Sequence, residues 1–125
     1  MSAALPYTKR KEGFEMHTLS VCMIVKNEEE VLSRCLASAV QFADEVVVVD
    51  TGSVDKTKQI ARQYTEKVYD FAWQDDFAKA RNFAFSKGTC DYLMWLDADD
   101  VVTPENVERI RELKRTMDGA VDLVM

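Results

Sequence analysis

The sequence predicts a three-layer α/β/α domain whose sheet is mostly parallel. Short apolar runs of strand length alternate four times with segments in which apolar residues recur every three or four positions. One run, residues 45–50, contains apolar residues at the successive positions 46–49, which is typical of a central parallel strand. The length of 125 residues and the hydrophobic fraction of 47% suit one compact core. Such alternation favours an open sheet with right-handed crossovers.

Charge and cysteine content exclude several classes of protein. The chain has 22 Asp and Glu against 16 Lys and Arg, a net charge of −6, which argues against nucleic-acid binding. No apolar run approaches the roughly 20 residues of a membrane span, and the start lacks the apolar segment of a signal peptide. Cys22, Cys35 and Cys90 are odd in number and show no C-x-x-C spacing. They indicate neither a disulfide framework nor a zinc site, and we expect a cytoplasmic protein.

The first half of the chain predicts two strands and two helices. Residues 1–17 are polar and without period, so we expect a loose leader before a domain at 18–125. Strands are predicted at 19–25 and 45–50, and Ser53 or Asp55 is expected to cap a helix that runs through Tyr64. The helix between the strands has one apolar face, formed by Val31, Leu32, Cys35, Leu36, Ala39 and Val40.

The second half continues the alternation. Strands are predicted at 67–71 and 92–96. Between them, Asp76 is expected to cap a helix at 77–86 with Phe77, Ala80 and Ala84 on its inner stripe. The last helix begins at Thr103-Pro104-Glu105 and ends at Gly119. Its predicted buried face consists of Val107, Ile110, Leu113 and Met117. A fifth strand begins at 120–125, and because an uncovered strand invites pairing, we predict self-association into a homo-oligomer.

Polar residues follow three of the predicted strands, at 26–28, 50–53 and 97–100. Ligands bind beyond the carboxyl ends of the strands in open α/β sheets. The acids at 97–100 repel one another, and Mg²⁺ or Mn²⁺ would relieve that repulsion. Helix-capping acids in a solvated turn are the alternative, particularly for Asp100. Asp50 has two interpretations as well, as an acceptor of hydrogen bonds from a ribose or base or as the cap of its own turn.

Other polar and aromatic candidates lie outside these strand ends. Arg81 either points to the sheet edge, where it would hold a diphosphate or pair with the acids, or extends into solvent. We expect Phe71, Trp73 and Phe77 to pack in the core and its loops rather than to form a base-stacking platform. His17 is the only histidine, so no catalytic triad can be assembled. The glycine-rich NAD fingerprint and the P-loop are both absent.

Four blocks in register, at 20–29, 48–57, 77–82 and 95–100, resemble glycosyltransferase family 2. The resemblance covers roughly residues 18–115 and implies a Rossmann-like GT-A nucleotide-diphospho-sugar transferase fold, truncated here. It also implies an inverting enzyme that transfers a sugar by direct displacement, with Mg²⁺ or Mn²⁺ on the donor diphosphate. A metal there would stabilise the charge that develops on the leaving group.

The resemblance also implies roles for individual residues. Val25, Asn27, Glu28 and Asp50 would hold the nucleoside. Gly52 and Ser53 would bring backbone N–H groups near the donor, and Arg81 would approach the base or the diphosphate. Asp97, followed by Ala98, would face the ribose or the sugar. Asp99 would bind the metal, with Asp97 as the second candidate ligand.

Two departures from the family pattern limit the prediction. Many members carry two acids where this chain has Asp50-Thr51, which leaves the nucleobase open, although a UDP-sugar is the donor we expect. Members run to roughly twice this length, and their general base belongs to the later half. We therefore expect a donor-binding portion with no catalytic base of its own, and an acceptor that is a glycan, a protein or a lipid.

Two alternatives to a transferase remain at this point. One is a non-catalytic remnant that binds a nucleotide sugar without transferring it. The other is an acidic receiver-type signalling module, which has a similar length and a phosphorylatable Asp at a strand end. Such modules have an acid pair after the first strand, whereas this chain has Lys26-Asn27-Glu28.

Overall fold

The computed structural model describes residues 17–116 and 123–124, and the side chains of residues 17–115. Strands and helices alternate along the described chain as the sequence predicts. The strands are β1 (Leu19–Val25), β2 (Glu45–Asp50), β3 (Val68–Asp70), β4 (Tyr92–Trp95) and β5 (Leu123–Val124). The helices are α1 (Leu32–Ala39), α2 (Thr57–Arg62), α3 (Phe77–Ser86) and α4 (Pro104–Thr116). No helix of the described part is long and apolar enough to cross a membrane.

The five strands form one sheet in the order β3-β2-β1-β4-β5, and all neighbours are parallel. From β1 the chain adds strands in one direction up to β3 and then crosses to the other side of β1 for β4. This reversal creates a switch point between the carboxyl ends of β1 and β4, where open α/β sheets bind ligands.

Alternating side chains of the central strands divide the core into two clusters. Val21, Met23 and Val48 belong to one cluster, together with residues of α1, α2 and α4. Cys22 and Val47 belong to the other, which includes Ala84 of α3. The predicted three-layer architecture is therefore confirmed, because neighbouring positions along each strand face opposite helix layers.

The first two helices are shorter than predicted. In α1 the predicted residues Leu32, Cys35, Leu36 and Ala39 are buried, whereas Val40, just beyond the helix, is exposed. The second helix ends at Arg62 rather than at Tyr64. Neither predicted cap lies at the N-cap position of this helix, which is occupied by Lys56. Asp55 accepts a hydrogen bond from the backbone N–H of Thr57 at 2.9 Å, whereas the Ser53 hydroxyl accepts one from the loop after β1.

Helix α3 begins as predicted. The carboxylate of Asp76 accepts a hydrogen bond from the N–H of Lys79 at 3.2 Å, and Ala80 and Ala84 are buried. The expectation that Phe77 lies on the same buried stripe is wrong, since its side chain is 49% exposed. Phe77 is the first residue of the helix and lies at its amino-terminal end, where its ring contacts Trp95 with the ring centroids 5.8 Å apart.

Helix α4 also begins as predicted, with the Asn106 N–H donating to the Thr103 hydroxyl at 3.3 Å. Leu113 was expected in its buried face, but it is 40% exposed. The next residue, Lys114, is buried instead. Its ammonium group contacts the Asp44 carboxylate at 2.7 Å and donates to the carbonyl of Phe42 at 2.8 Å. Specific polar partners inside the fold therefore shift the buried face of the last turn by one residue.

Three further predictions concern positions that the structure describes only in part. Met117 and Gly119 lie outside the described residues, as do residues 1–16 of the predicted leader. In the predicted strand at 120–125, only Leu123 and Val124 are described, and they pair with β4.

A second ion pair, which is only partly buried, lies at the amino-terminal side of the sheet. Glu45 binds the ammonium group of Lys67 and accepts hydrogen bonds from the Ser20 hydroxyl and from the backbone N–H of Thr89. Burial by itself raises the pKa of this carboxyl, but the hydrogen bonds from Lys67, Ser20 and Thr89 outweigh it, and the pKa lies below its usual value. Glu45 thus joins β1, β2 and the segments that precede β3 and β4.

Candidate active site

The loops that follow β1 and β2 are hydrogen-bonded to each other. Asn27 has a left-handed backbone, with φ of 53°. Its N–H donates to the Ser53 hydroxyl, and its side-chain carbonyl accepts from the N–H of Val54, both at 2.9 Å. The N–H of Glu28 likewise donates to the Thr57 hydroxyl at 2.8 Å. Asn27 and Ser53, both predicted site residues, therefore hold the two loops in register at the edge of the sheet.

Asp50 ends β2 with its side chain almost fully buried, at 2% exposure. One carboxylate oxygen, Oδ1, accepts hydrogen bonds from the N–H groups of Gly52 and Ser53, both at 2.8 Å. Gly52 has φ of 117°, a backbone conformation that residues with a side chain rarely adopt. Glycine at this position therefore permits the tight turn. The other oxygen, Oδ2, is buried and has no partner within the described structure. Asp50 thus caps its turn with one oxygen and retains a free acceptor in the second.

The acidic loop after β4, residues 97–100, forms a turn that is held by hydrogen bonds to neighbouring residues. The Asp97 carbonyl accepts from the Asp100 N–H at 3.0 Å and from the Cys35 thiol at 3.4 Å. The Asp97 carboxylate accepts from the indole N–H of Trp95 at 3.1 Å. Ala98 is buried, whereas the side chains of Asp97 and Asp99 are exposed at the edge of the sheet.

Electrostatic effects link this acidic loop to the loop after β1. The pKa of Glu28 is raised, first by partial burial and then by the negative charges of Asp99 and Asp55. The pKa of the Cys35 thiol is raised to about 12 by burial, followed by the charges of Asp100, Asp99 and Asp97. The carboxylates predicted from separate strand ends thus act on one another across the switch point.

This arrangement fits a divalent cation that shares its coordination with a ligand. No group of three or more His, Cys, Asp or Glu side chains converges on a metal position among residues 17–115. Mg²⁺ usually takes one or two carboxylates and completes its octahedron with water and phosphate oxygens. The exposed Asp99, with Asp97 and Glu28 nearby, suits that mode of binding better than a fully protein-bound site.

A cavity of about 340 Å³ opens beside the same loops. It is lined by Ile24, Val25, Lys26, Glu28, Thr51, Trp73 and Phe77. Val25 and Glu28 were predicted as site residues. Trp73 and Phe77 were expected in the core and loop packing, and that expectation is wrong, because both side chains are about half exposed and line the cavity.

The family is decided by a match between residues 20–123 and the model of glycosyl transferase family 2. The chain belongs to this family. It is 42% identical over 106 residues to a TPR repeat-containing protein of Synechococcus elongatus, and 30% identical over 110 residues to the SPbeta prophage-derived glycosyltransferase SunS of Bacillus subtilis. These matches cover 85% and 86% of the chain. In each case they span 26% of the relative's length.

Solved structures of glycosyltransferases share the fold. Glucosyl-3-phosphoglycerate synthase from Mycobacterium tuberculosis superposes with a TM-score of 0.65 at 20% identity, over 83% of this chain and 42% of that one. The complex of this synthase with Mn²⁺ and UDP-glucose gives a TM-score of 0.59 at 22% identity, over 68% and 34%. The GT-A fold expected from the resemblance is thereby confirmed, and membership of the family excludes the receiver-module alternative.

Arg81 lies in the family block at 77–82, and the structure places it on the exposed side of α3. Its guanidinium carbon is 5.5 Å from the centre of the Phe77 ring. Within residues 17–115 it forms no ion pair with an acid. Of the two sequence interpretations, the exposed position agrees with extension into solvent, and no pair with the acidic loop is present among residues 17–115.

The sequence analysis missed the aromatic wall of the cavity in this family 2 domain. A signal was present, because Trp73 and Phe77 flank the polar run Gln74-Asp75-Asp76. Large aromatic side chains in a polar loop are poorly explained by core packing. What the sequence could not show is that β3 ends beside β2, which brings this loop to the same edge of the sheet as Val25 and Thr51.

Proposed function

We propose that this chain is the donor-binding portion of an inverting glycosyltransferase that uses a nucleotide-diphospho-sugar, with UDP as the expected nucleotide, and a divalent metal. The observation that carries the proposal is that the loops after β1 and β4, which contain Glu28, Asp97 and Asp99, follow adjacent parallel strands at the switch point of the sheet. Carboxylates that repel one another in this way favour a cation and the phosphate groups that accompany it.

The nucleoside would lie over the ends of β1 and β2. The free Oδ2 of Asp50 supports this role, because a buried carboxylate oxygen without a partner carries a free-energy cost that a ligand hydroxyl or N–H would remove. Val25, Glu28 and Thr51 supply the cavity wall, and the paired loops at Asn27 and Ser53 hold it in place. Gly52 adds a backbone without a side chain beside the ligand.

The diphosphate would lie toward the acidic loop. Asp99, with Asp97 as the second candidate, would hold Mg²⁺ or Mn²⁺, and Asp97 and Ala98 would face the ribose or the sugar. When bound, the metal would neutralise charge that develops on the leaving diphosphate. Arg81 would contribute a second positive charge from α3. The complex of the mycobacterial synthase with Mn²⁺ and UDP-glucose supports the same donor class.

The acceptor site and the general base are not among the residues to which we assign a role. The acceptor is a glycan, a protein or a lipid, and we keep the cytoplasmic location as a prediction based on the cysteine content. A non-catalytic remnant would bind the same donor, but it would neither transfer nor hydrolyse the sugar. Turnover of a UDP-sugar by the protein would exclude it.

Calorimetric titration tests donor binding directly. We expect UDP and a UDP-sugar to bind in the presence of Mn²⁺, and chelation of the metal to remove most of the affinity. Asp99→Asn should weaken binding by at least about 10-fold. Asp100→Asn, which removes a neighbouring acid, is the matched control and should change affinity by less than about 3-fold. Binding that Asp99→Asn leaves unchanged, or an absence of metal-dependent binding to any nucleotide, would contradict the proposal.

A further inference from the structure

Two aromatic side chains, Trp73 and Phe77, contribute to the wall of the cavity. Trp73 is 44% exposed and Phe77 is 49% exposed, and both face the cavity that Val25, Lys26 and Thr51 also line. Leaving this much aromatic surface in water forgoes a substantial part of the free energy that burial would provide. Such surface beside a cavity is typical of a ligand contact.

Trp73 is held in one orientation by the turn that contains it. Its indole N–H donates to the Asp75 carboxylate at 3.0 Å, and Asp75 has a left-handed backbone with φ of 58°. The next residue, Asp76, caps α3 and so fixes the end of the loop. The polar edge of the indole is satisfied inside the protein, which leaves the apolar ring for contact with a ligand. A ring fixed in this way loses little conformational entropy on binding.

The two aromatic rings differ in what already surrounds them. Phe77 has the Arg81 guanidinium over its face and Trp95 against its edge. Trp73 forms no aromatic or cation–π contact with another residue of the described chain. Of the two, Trp73 is therefore the ring with a face available for stacking.

The strand order determines which part of a nucleotide reaches Trp73. Trp73 follows β3, and Asp99 follows β4, on opposite sides of β2 and β1 in the sheet. A diphosphate near Asp99 would direct the nucleoside across the ends of β1 and β2 toward β3. The flat, apolar part that arrives beside Trp73 is then the nucleobase.

We propose that Trp73 is the stacking platform for the nucleobase of the donor. This inference rests on the proposed function, and it adds a binding residue from the β3–α3 loop. Stacking uses the π-face that every base presents, so Trp73 would contribute affinity with little selectivity among bases. Discrimination between bases would then depend on hydrogen-bonding groups such as Asp50.

The test compares UDP with inorganic pyrophosphate, which lacks the base and the ribose, in the presence of Mn²⁺. Trp73→Ala should weaken UDP binding roughly 5- to 100-fold and leave pyrophosphate binding unchanged. Trp73→Phe should retain most of the UDP affinity. Gln74→Ala, at the exposed neighbouring position, is the matched control and should leave the affinity for both ligands unchanged.

Fluorescence provides a second measurement that does not depend on the alanine variant folding. UDP should quench tryptophan emission of the wild-type chain, and the quenching should be lost in Trp73→Phe, where Trp95 remains. Equal UDP affinity in wild type and Trp73→Ala would overturn the stacking role while the proposed function stands. Equal losses for UDP and pyrophosphate would overturn it as well. Failure of the wild-type chain to bind any nucleotide would overturn both proposals.

Discussion

Asp50 performs two tasks with the two oxygens of one side chain. Oδ1 fixes the turn through the N–H groups of Gly52 and Ser53, and Oδ2 is buried without a partner. The first task is structural and the second is the one we assign to the donor. The sequence alone could not separate these interpretations, because the same residue satisfies both.

Asp50→Asn should separate stability from binding. The asparagine carbonyl can keep the hydrogen bonds of Oδ1, while its NH₂ group replaces the free acceptor. Because the neutral amide removes a buried charge but leaves its NH₂ group without a partner in place of Oδ2, we expect the melting temperature to change little. UDP affinity should fall by at least about 10-fold. Thermal denaturation and calorimetry measure the two effects, and unchanged UDP affinity would remove Asp50 from the donor site.

Gly52 is required for its backbone conformation rather than for space. A Cβ atom added to it would meet nothing within 4 Å, but its φ of 117° is strained for any other residue. Gly52→Ala should therefore lower the free energy of unfolding by about 1–2 kcal/mol. Urea denaturation measures the loss, with the exposed Val54→Ala as a control that should change stability by less than about 0.5 kcal/mol. An unchanged free energy of unfolding in Gly52→Ala would show that the turn can relax to accommodate the Cβ atom.

At the scale of elements, α4 is anchored by a charge rather than by the leucine that the sequence favours. Lys114 lies against Asp44, and the same Asp44 oxygen accepts the N–H of Leu19 at the start of β1. The helix is thereby tied to the first residue of the sheet. Apolar periodicity cannot reveal a buried lysine, because its partners lie some 70 residues away in the sequence.

Lys114→Met should destabilise the domain more than truncation of its apolar neighbour. Removing the ammonium leaves Asp44 nearly buried without its partner, and losses of about 3–5 kcal/mol accompany the breaking of such pairs. Leu113→Ala removes a half-exposed side chain and should cost less than about 1 kcal/mol. Chemical denaturation of both variants makes the comparison. A larger loss of stability in Leu113→Ala than in Lys114→Met would contradict the anchoring role of Lys114.

The Glu45 network predicts how stability depends on acid. Hydrogen bonds from Lys67, Ser20 and Thr89 keep the folded-state pKa of Glu45 below its ordinary value of 4.5, despite burial. Its contribution is therefore complete above pH 4.5 and is lost as the pH falls through the lowered pKa. Glu45→Gln should cost about 2 kcal/mol at pH 7.

The same variant should show a weaker loss of stability between pH 4.5 and 3 than the wild-type chain, because it lacks the carboxylate that becomes protonated. Urea denaturation at pH 7, 4.5 and 3 measures this. Parallel pH profiles for the two proteins would show that Glu45 does not contribute to the acid dependence.

For the whole molecule, hydrophobic periodicity was sufficient to predict the layers. The apolar run of β2 identified a central strand, and Asp76 and Thr103 identified helix starts, because these signals are local. The strand order is not local, so the sequence could not place the loop of Trp73 beside β1. Asp97 and Asp99 could be proposed as metal ligands from their spacing, whereas the effect of the Asp99 charge on Glu28 depends on the crossing from β3 to β4.

Self-association remains a prediction for the whole molecule. In the described part of the sheet, β5 pairs with β4 and forms one edge. An open parallel edge presents unpaired backbone groups to another chain. We expect light scattering to give a mass above that of one 14.3 kDa chain. A monodisperse monomer at high concentration would contradict this expectation.

The ion pairs Glu45–Lys67 and Asp44–Lys114 lie at the amino ends of the strands, whereas the acids proposed to hold the metal lie at the carboxyl ends. The ion pairs and the acids proposed to bind the metal therefore lie at opposite edges of the same sheet. Substitutions of the exposed acids Asp97 and Asp99 should therefore leave both ion pairs in place. In such a domain, residues at the ligand-binding edge can vary while the ion pairs that stabilise the sheet stay the same.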